Sequence, residues 1–319
     1  MGTFAGKRAV VTGGGSGMGR ELVIQLAAEG AHVATCDVNQ VALDETLAKA
    51  EAGAPEGTRI TTHICDVSDE AQVLAFRDAV VAAHGDVLEL VFNNAGIGGG
   101  GSLIADSRED WERTFGVDFW GVYYCTRAFL PMLMAAEESR LVNTSSVNGF
   151  WASLGPGIPH TAYSTAKFAV KGFSESLIED LRVNAPHVGV SVVMPGHIGT
   201  DIVANSRRYF GRPEPDALSD ADLEETRQNL ARRGVPASDL AADQLRGIVK
   251  MMEEGFRNSA PLSAGGAATV ILDGVREGKW RILVGEDAHK LDEQVRANPE
   301  AAYDHAGVGI TPLSAGSGS

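Results

Sequence analysis

The stretch Thr12-Gly13-Gly14-Gly15-Ser16-Gly17-Met18-Gly19 joins two patterned runs of the chain. The run before it, Arg8–Val11, is short and β-branched, which is typical of a buried strand. The run after it, Arg20–Ala28, repeats apolar residues at helical spacing. A strand that enters a helix through a glycine-rich turn predicts the first unit of an open α/β sheet.

The same alternation continues along the chain. Further strands are predicted at His32–Cys36, Arg59–Ile64, Leu88–Phe92, Leu141–Thr144, Val190–Val193 and Trp280–Val284. Helices are predicted between them at Val41–Ala50, Glu70–His84, Glu109–Leu133, Tyr163–Arg182 and around Gly265–Val275. Apolar strands that alternate with helices predict an α/β fold with a doubly wound, Rossmann-like parallel sheet, covered on both faces.

The rhythm changes after Thr200, where residues 201–258 are helical and charged. We interpret them as an insertion above the sheet, a cap whose candidate lining residues are Ile202, Val203, Tyr209, Phe210 and Leu218. One domain is therefore predicted over residues 1–297, including the 201–258 cap, with a polar C-terminal tail over 298–319 whose last residues, Ser314–Ser319, are expected to be flexible.

Composition excludes several function classes. The chain has 319 residues and a formal net charge of -15, so we expect neither nucleic acid nor an anionic membrane as a partner. The sequence has no run of about 18 apolar residues, so no membrane span is predicted. The first apolar stretch is too short for a signal peptide. We therefore expect a cytoplasmic protein. The three cysteines and eight histidines lack paired spacing, so neither a disulfide framework nor a metal site is predicted.

The glycine-rich turn also carries chemistry. Glycines let backbone N–H groups approach a pyrophosphate, and the following helix N-terminus favours its charge. Asp37 ends the second strand, where a carboxylate accepts the ribose hydroxyls of NAD and repels the 2′-phosphate of NADP. No Gly-Lys-Ser/Thr follows the turn, which excludes a P-loop.

Six motifs at predicted strand or helix ends, spread over residues 5–200, resemble the short-chain dehydrogenase/reductase superfamily. They are Thr12–Gly19, Asp66-Val67, Asn93-Asn94-Ala95-Gly96, Ser146-Val147-Asn148-Gly149, Tyr163-Ser164-Thr165-Ala166-Lys167 and Pro195-Gly196-His197-Ile198-Gly199-Thr200. The resemblance implies that Asp66 and Val67 flank the adenine and that Ile198 and Thr200 bind the nicotinamide carboxamide region. The full predicted cofactor-binding set is Gly13, Ser16, Gly17, Met18, Gly19, Asp37, Asp66, Val67, Asn94, Gly96, Tyr163, Lys167, Pro195, Ile198 and Thr200.

Tyr163 and Lys167 are four residues apart on a predicted helix, so they share one face, and Thr161 is the predicted N-cap. A phenol has a pKa near 10, but a nearby ammonium and a cationic nicotinamide both favour its phenolate. Tyr163 is then the group that takes the alcohol proton as hydride leaves for NAD⁺. Ser146 is predicted to hold the substrate oxygen, and the resemblance selects it over Ser145.

Two features leave alternatives open. Residues Phe150, Trp151, Leu154 and Ile158 form either a substrate wall or a packed surface loop. Asp118 stands where relatives usually carry a catalytic Asn whose main-chain carbonyl takes part in a water relay to the lysine. Its carboxylate either acts near Lys167 or bonds locally at a helix break. We include it with Ser146, Tyr163 and Lys167 as a candidate catalytic residue.

These patterns predict an NAD-dependent oxidoreductase that moves hydride between a nicotinamide and a largely apolar secondary alcohol or ketone. The alternatives are a non-catalytic NAD-binding sensor and a halide-eliminating enzyme of the same fold. The retained Tyr163 and Lys167 argue against the sensor, and the glycines and Lys167 argue against the halide enzyme. Aromatic residues on Trp111–Met134 predict a homo-oligomer, either a dimer or a tetramer.

Overall fold

A seven-stranded parallel sheet forms the centre of the molecule. The computed structural model describes residues 2–99, 101–155, 158–232 and 235–304. The strands of the sheet are β1 Arg8–Thr12, β2 His32–Asp37, β3 Ile60–Ile64, β4 Leu90–Asn93, β5 Ser139–Thr144, β6 Val188–Pro195 and β9 Arg281–Val284. They lie in the order β3-β2-β1-β4-β5-β6-β9. The predicted doubly wound α/β fold is confirmed.

The strand order reverses between β1 and β4. Val10 of β1 pairs with Ala34 of β2 on one side and with Val91 of β4 on the other. The chain moves outward from β1 to β3 and then returns to β4, so the loops after β1 and β4 diverge. Open α/β sheets bind their ligands in the crevice at such a switch point, outside the carboxyl ends of the strands.

Helices cover both faces of the sheet. The helices before the cap are α1 Gly17–Ala28, α2 Gln40–Gly53, α3 Glu70–His84, α4 Arg108–Phe115, α5 Gly121–Met134 and α6 Thr161–Asn184. Two more helices follow the cap, α10 Ala264–Arg276 and α11 Glu286–Ala297. On one face, α3, α5 and α6 share a core that includes Phe76, Phe129 and Leu181. On the other, α1 and α10 share a core that includes Leu26 and Ile271.

The single helix predicted over Glu109–Leu133 is interrupted. A π-helical turn at Gly116–Trp120 separates α4 from α5, and Gly121 N–H donates to Gly116 O within it. Asp118 lies in this turn and is fully buried. A wider turn carries an extra residue and changes the direction of neighbouring side chains, and such turns are frequent at functional sites.

The predicted N-cap of α6 is wrong. The helix begins at Thr161, and His160 occupies the cap position. The Thr161 hydroxyl donates to Gly101 O at 2.9 Å, so it ties the loop after β4 to α6. An N-cap side chain must accept from the helix backbone, and this hydroxyl is used as a donor.

Residues 202–258 contain three helices, α7 Ile202–Tyr209, α8 Asp220–Arg232 and α9 Ala242–Asn258. Two short strands flank this segment, β7 Ile198–Gly199 before it and β8 Leu262–Ser263 after it, and they pair with each other. Helices α8 and α9 enclose a small core of their own that includes Leu218, Leu223 and Leu245. Leu218 therefore packs inside this core, away from the substrate-lining position considered for it.

Helix α11 ends at Ala297, and the turn after it is packed, since Ala302 is buried. Residues 305–319, and with them the end of the predicted tail, lie outside the described residues. Within the described ranges no helix is long and apolar enough to cross a membrane, and no cluster of His, Cys, Asp or Glu is placed to hold a metal ion. Cys36, Cys65 and Cys125 are buried free thiols.

Candidate active site

The turn between β1 and α1, residues Gly13–Gly19, forms a cradle that excludes side chains. Gly13 has a φ of +70°, and a Cβ there would lie 2.8 Å from Ala95 Cα. A Cβ on Gly19 would overlap Gly13 O, and Gly17 also has a positive φ, +52°. Ser16 occupies the N-cap of α1, and its side chain makes no hydrogen bond to the helix backbone. The first N–H groups of α1 therefore remain open to an anion.

Asp37 lies beside this cradle at the end of β2. Its Oδ2 accepts from Gly15 N–H at 3.0 Å, and its Oδ1 accepts from Asn39 N–H at 3.1 Å. Burial raises the pKa of the Asp37 carboxyl, and these N–H bonds only partly offset the rise. The Arg20 guanidinium donates to Gly15 O at 2.6 Å and pairs with Glu45, so it joins the glycine loop to α2. Arg20 was not predicted from the sequence, where it reads as an ordinary first-turn helix residue.

The loops after β3 and β4 complete the crevice. Asn94 Nδ2 donates to Thr12 O at 3.1 Å, while its Oδ1 is buried with no protein partner. Asp66 Oδ1 accepts from the Ser68 hydroxyl at 2.7 Å. Val67 is buried against α5, where a Cβ on Gly121 would lie 2.6 Å from Val67 Cγ2. A dinucleotide fits the crowded glycine cradle, the Asp37 carboxylate and the unpartnered Asn94 oxygen. When bound, it would give that buried oxygen a hydrogen-bond partner.

The segment after β6, which the family resemblance assigns to the nicotinamide carboxamide, forms a further side of the crevice. Pro195 closes that strand, Ile198 is buried in β7, and a Cβ on Gly17 would lie 3.1 Å from Thr200 Cγ2. Asp287 of α11 holds the segment in place, since its Oδ2 accepts from His197 N–H at 2.6 Å. No sequence signal pointed to Asp287, because the contact joins residues 90 positions apart.

Ser146, Tyr163 and Lys167 meet on the β5 side of the same crevice. Lys167 is buried, its Nζ donates to Thr144 O at 3.3 Å, and it lies 5.2 Å from the Tyr163 ring centroid. Ser146 follows β5 and hydrogen-bonds Tyr163. The Ser145 hydroxyl is buried and instead donates to Lys167 O at 2.7 Å, so it anchors the main chain of α6 to the end of β5.

Asp118 joins this group from the π turn. Its Oδ1 lies 3.3 Å from Lys167 Nζ and accepts from Ile97 N–H at 3.0 Å. A Cβ on Gly96 would lie 2.8 Å from that Oδ1 and 3.2 Å from Lys167 Nζ, so only glycine fits over the pair. Of the two roles considered for Asp118, the side chain takes the one near Lys167.

Burial has the largest effect on Lys167 and opposes its ammonium, but the Asp118 carboxylate and Tyr163 together outweigh burial, so the pKa of Lys167 is raised. Burial also raises the pKa of Asp118, and Lys167 offsets part of that rise. For Tyr163 burial raises the phenol pKa, Lys167 and the Ser146 hydrogen bond lower it, and Asp118 raises it. The net direction for Tyr163 is upward. Lys167 therefore favours the phenolate as predicted, but the protein alone does not bring the pKa of Tyr163 below its ordinary value.

Helix α7 lies across the crevice and contacts three of its loops. Asn205 Nδ2 donates to the Ser16 hydroxyl at 2.9 Å, and Gly98 N–H donates to the Ser206 hydroxyl at 2.8 Å. At the far end Tyr209 donates to Asp66 Oδ2 at 3.1 Å. The Arg113 guanidinium lies 5.0 Å from the Tyr209 ring centroid and donates to Tyr209 O. Met18 is partly buried nearby.

The loop after Ser146 faces the C-terminal segment. Trp151 is buried, and its Nε1 donates to Ala302 O at 2.7 Å. Val147 and Trp151 pack against Ala288 and Leu291 of α11. Trp151 is thus a packed residue and not part of a substrate wall.

A family model for short chain dehydrogenases matches residues 7–209. The chain is 35% identical over 296 residues to SadH, a protein named as an oxidoreductase from Mycobacterium tuberculosis (strain ATCC 25618 / H37Rv), with 93% of this chain and 92% of SadH covered. It is 31% identical over 242 residues to levodione reductase of Leifsonia aquatica, with coverages of 75% and 86%.

Solved structures agree. A short chain dehydrogenase/reductase from Burkholderia phymatum, in complex with NAD, superposes with a TM-score of 0.74 at 31% identity, covering 94% of this chain and 95% of that one. Levodione reductase gives a TM-score of 0.58 at 26% identity, with coverages of 83% and 99%. The chain therefore belongs to the short-chain dehydrogenase/reductase family of oxidoreductases, whose members act on small molecules.

Proposed function

We propose that this protein is an NAD-dependent dehydrogenase of secondary alcohols that also reduces the corresponding ketones. One observation carries the proposal. The glycine cradle, with Asp37 beside it, and the group of Ser146, Tyr163 and Lys167 lie on the same crevice at the switch point of the sheet. A dinucleotide held at the first group brings its reactive ring to the second.

The protein's own groups manage the proton. Ser146 holds the substrate oxygen through its hydroxyl, and Tyr163 takes the proton from that oxygen during oxidation or returns it during reduction. Lys167 stabilises the phenolate by charge and holds its place through Thr144 O. Asp118 keeps Lys167 protonated. When bound, an oxidised nicotinamide accepts the hydride and adds a positive charge that lowers the pKa of the phenol.

The preference for NAD rests on Asp37. Its carboxylate faces the glycine loop, where the ribose of the adenosine half would lie, and a 2′-phosphate there would meet a negative charge. The Arg20 guanidinium is already engaged by Gly15 O and Glu45, so it offers little to a phosphate. The Burkholderia relative, described in complex with NAD, is consistent with this assignment.

We infer that α7–α9, within residues 201–258, cap the substrate. Support comes from the contacts of α7 with Ser16, Gly98 and Asp66, which place the helix over the crevice. The partly buried Ile202 lies 3.7 Å from a Cβ built on Gly98, which gives the crevice an apolar side. A largely apolar substrate suits such a wall. The cytoplasmic location predicted from the sequence stays a prediction.

A non-catalytic NAD sensor is the alternative. It would bind the same cofactor without needing a buried Lys167 beside the phenol of Tyr163. Burying a lysine ammonium is costly unless it is paired. A panel of secondary alcohols with NAD⁺, followed at 340 nm, separates the two. We expect turnover, and we expect Tyr163→Phe to lower kcat by about 10²–10⁴-fold because it removes the proton-transfer group alone.

Tyr124→Phe is a matched control for this experiment, since its phenol lies on α5 outside the crevice. Cofactor binding, read from tryptophan fluorescence, should be equal in wild type and both variants. Near-normal turnover of Tyr163→Phe, or a wild type that binds NAD but oxidises no alcohol, would refute the proposed function.

We also propose that the protein is a homo-oligomer, a dimer or a tetramer. Helices α4, α5 and α6 and the π turn present a continuous row of ring contacts from Trp111 through Phe115, Phe119 and Phe173 to Tyr123. Trp120, which contacts Phe115 and Tyr123, is 42% exposed, and Phe168 on α6 is 41% exposed. Apolar surface of this kind marks an interface. Light scattering at micromolar concentration tests it, and a monomeric mass would contradict it.

A further inference from the structure

A histidine stands directly against the phenol of the proposed site and has no task in the mechanism. The His160 and Tyr163 rings are tilted by 33° with their centroids 4.6 Å apart. Both side chains are partly buried. His160 is the residue that precedes α6, and Tyr163 lies in the first turn of that helix.

The backbone that follows His160 is fixed. Thr161 donates to Gly101 O through both its N–H and its hydroxyl, each at 2.9 Å. Ser164 N–H donates to His160 O at 3.0 Å, which begins the helix. The imidazole is therefore held against Tyr163 by the main chain, and its own nitrogens are not needed for that placement.

Those nitrogens are also unused elsewhere. Five other histidines bond through a ring nitrogen to a protein group: His32, His63, His84, His187 and His197. His160 makes no such bond in the part of the chain that the structure describes. A partly buried imidazole with no protein partner in those residues, placed against the proposed proton-transfer group, is available to hydrogen-bond a substrate.

The imidazole is neutral at physiological pH, because burial lowers the pKa of His160 to about 4. A neutral imidazole has one N–H donor and one acceptor nitrogen. It can therefore donate to a carbonyl oxygen or accept from a hydroxyl, in either direction of an alcohol–ketone reaction, without adding a charge beside Tyr163.

We propose that His160 determines substrate specificity by binding a second oxygen of the substrate, a hydroxyl or carbonyl on the carbon next to the reacting carbinol. The proposal rests on the proposed function, since Tyr163 binds the first oxygen. A centroid separation of 4.6 Å brings the two rings close enough to bind oxygens on neighbouring carbons of one substrate. The substrate class is then a vicinal diol or α-hydroxyketone on an otherwise apolar body.

The test compares cyclohexanol with cis- and trans-1,2-cyclohexanediol in wild type, His160→Phe, His160→Gln and His289→Phe. Phenylalanine keeps a ring against Tyr163 but cannot hydrogen-bond, whereas glutamine keeps a donor and an acceptor. His289 is exposed on α11, so its variant is the matched control. Equal NAD binding in all four proteins shows that the variants are folded.

We expect wild type and His289→Phe to favour one diol over cyclohexanol by at least about tenfold in kcat/KM. His160→Phe should bring this ratio close to one, and His160→Gln should restore part of it. A wild type without the preference, or a His160→Phe that keeps it, would overturn the proposal. Loss of stacking alone would not change the ratio.

A separate binding measurement distinguishes this proposal from the proposed function. The affinity of each 1,2-cyclohexanediol for the NAD complex is measured by calorimetry in wild type and in His160→Phe. If wild type turns over none of the alcohols, the dehydrogenase assignment fails, but weaker diol binding in His160→Phe still supports the recognition role. Equal affinity in the two proteins contradicts it whatever the turnover.

Discussion

Lys167 Nζ lies 3.3 Å from Asp118 Oδ1, and the two side chains are 3% and 0% exposed. An ion pair this deep gains little net stability, because taking both charges out of water costs about as much as their attraction returns. Its value here is positional. The pair fixes Lys167 between Thr144 O and the Tyr163 ring, and it sets the charge that the phenol experiences.

The preference for NAD gives a direct prediction. We expect wild type to use NAD with a kcat/KM at least about a hundredfold above that for NADP, because a 2′-phosphate would meet the Asp37 carboxylate. Asp37→Ala should lower the ratio of kcat/KM for NAD to that for NADP, mainly through a higher KM for NAD. Asp44→Ala removes the same charge from an exposed position of α2 and should leave the ratio unchanged. A wild-type preference for NADP contradicts the assignment.

The capping role of α7 is tested through Tyr209. Its hydroxyl occupies Asp66 Oδ2, the group that the family resemblance places at the adenine. Tyr209→Phe releases that oxygen, so we expect NAD to associate severalfold faster in stopped-flow fluorescence, with Tyr303→Phe as the control. Hydrogen exchange over residues 201–230 should slow when cofactor and substrate are both present. Unchanged exchange in that segment would remove the support for a cap.

Acid should destabilise the fold through His84. Burial, and then the positive charge of Arg59, lowers its pKa to about 4 from the ordinary 6.5. Its Nε2 bonds Thr61 Oγ1 at 2.9 Å. Because the folded pKa is the lower one, the unfolded chain binds more protons between pH 6.5 and about 4. Stability is therefore full above pH 6.5 and is lost as the pH falls through this window.

The size of this loss is at most about 3 kcal/mol, and less because His84 is only partly buried. His84→Gln keeps a hydrogen bond to Thr61 but cannot titrate. We expect its free energy of unfolding, from urea titrations at pH 7.5 and pH 5, to fall less than that of wild type. The exposed His289→Gln should behave as wild type. His160 is unchanged in both variants, so its own contribution cancels. An equal fall in His84→Gln and wild type would exclude His84 as the cause.

How much of this was predictable from sequence depends on the range of the interaction. The strand at Arg8–Val11 and the helix Glu70–His84 were predicted closely, because their periodicity and flanking turn residues are local. The break in the predicted helix Glu109–Leu133 has no such local signal, and only the family resemblance indicates an irregularity near Asp118. It depends on Asp118 meeting Lys167 and Ile97 N–H, contacts between residues far apart in the chain.

The candidate site divides in the same way. Ser146, Tyr163 and Lys167 were found because each belongs to a short motif at the end of a predicted element. Asp287 and Arg20 support the crevice through bonds to main-chain atoms of other segments, and no motif marks them. For Trp151 the sequence leaves a substrate wall and a packed loop equally open, because an aromatic residue in a loop gives no sign of which neighbour will cover it. The structure covers it with Ala302.

Asp118 gives the last prediction, which concerns the pH dependence of alcohol oxidation. Burial is the main cause that raises the phenol pKa of Tyr163, and the Asp118 charge adds to it. Asparagine at this position has nearly the same shape and can still accept from Ile97 N–H and from Lys167. Asp118→Asn therefore removes a negative charge while it keeps the hydrogen bonds. Without that charge the phenolate of Tyr163 is easier to form, and the ammonium of Lys167 is less favoured.

We expect Asp118→Asn to keep kcat within roughly tenfold of wild type, well short of the 10²–10⁴-fold loss of an acid–base group. Oxidation needs the phenolate, so its rate rises with pH through the Tyr163 pKa. Since Asp118→Asn removes a charge that raises that pKa, the rising limb of the kcat profile should move to lower pH. Both proteins are measured with the same alcohol over the same buffers, and circular dichroism confirms that the variant is folded. A loss beyond a hundredfold in a folded variant would show that the carboxylate itself has a further catalytic task, and a limb that stays in place would show that its charge does not reach Tyr163.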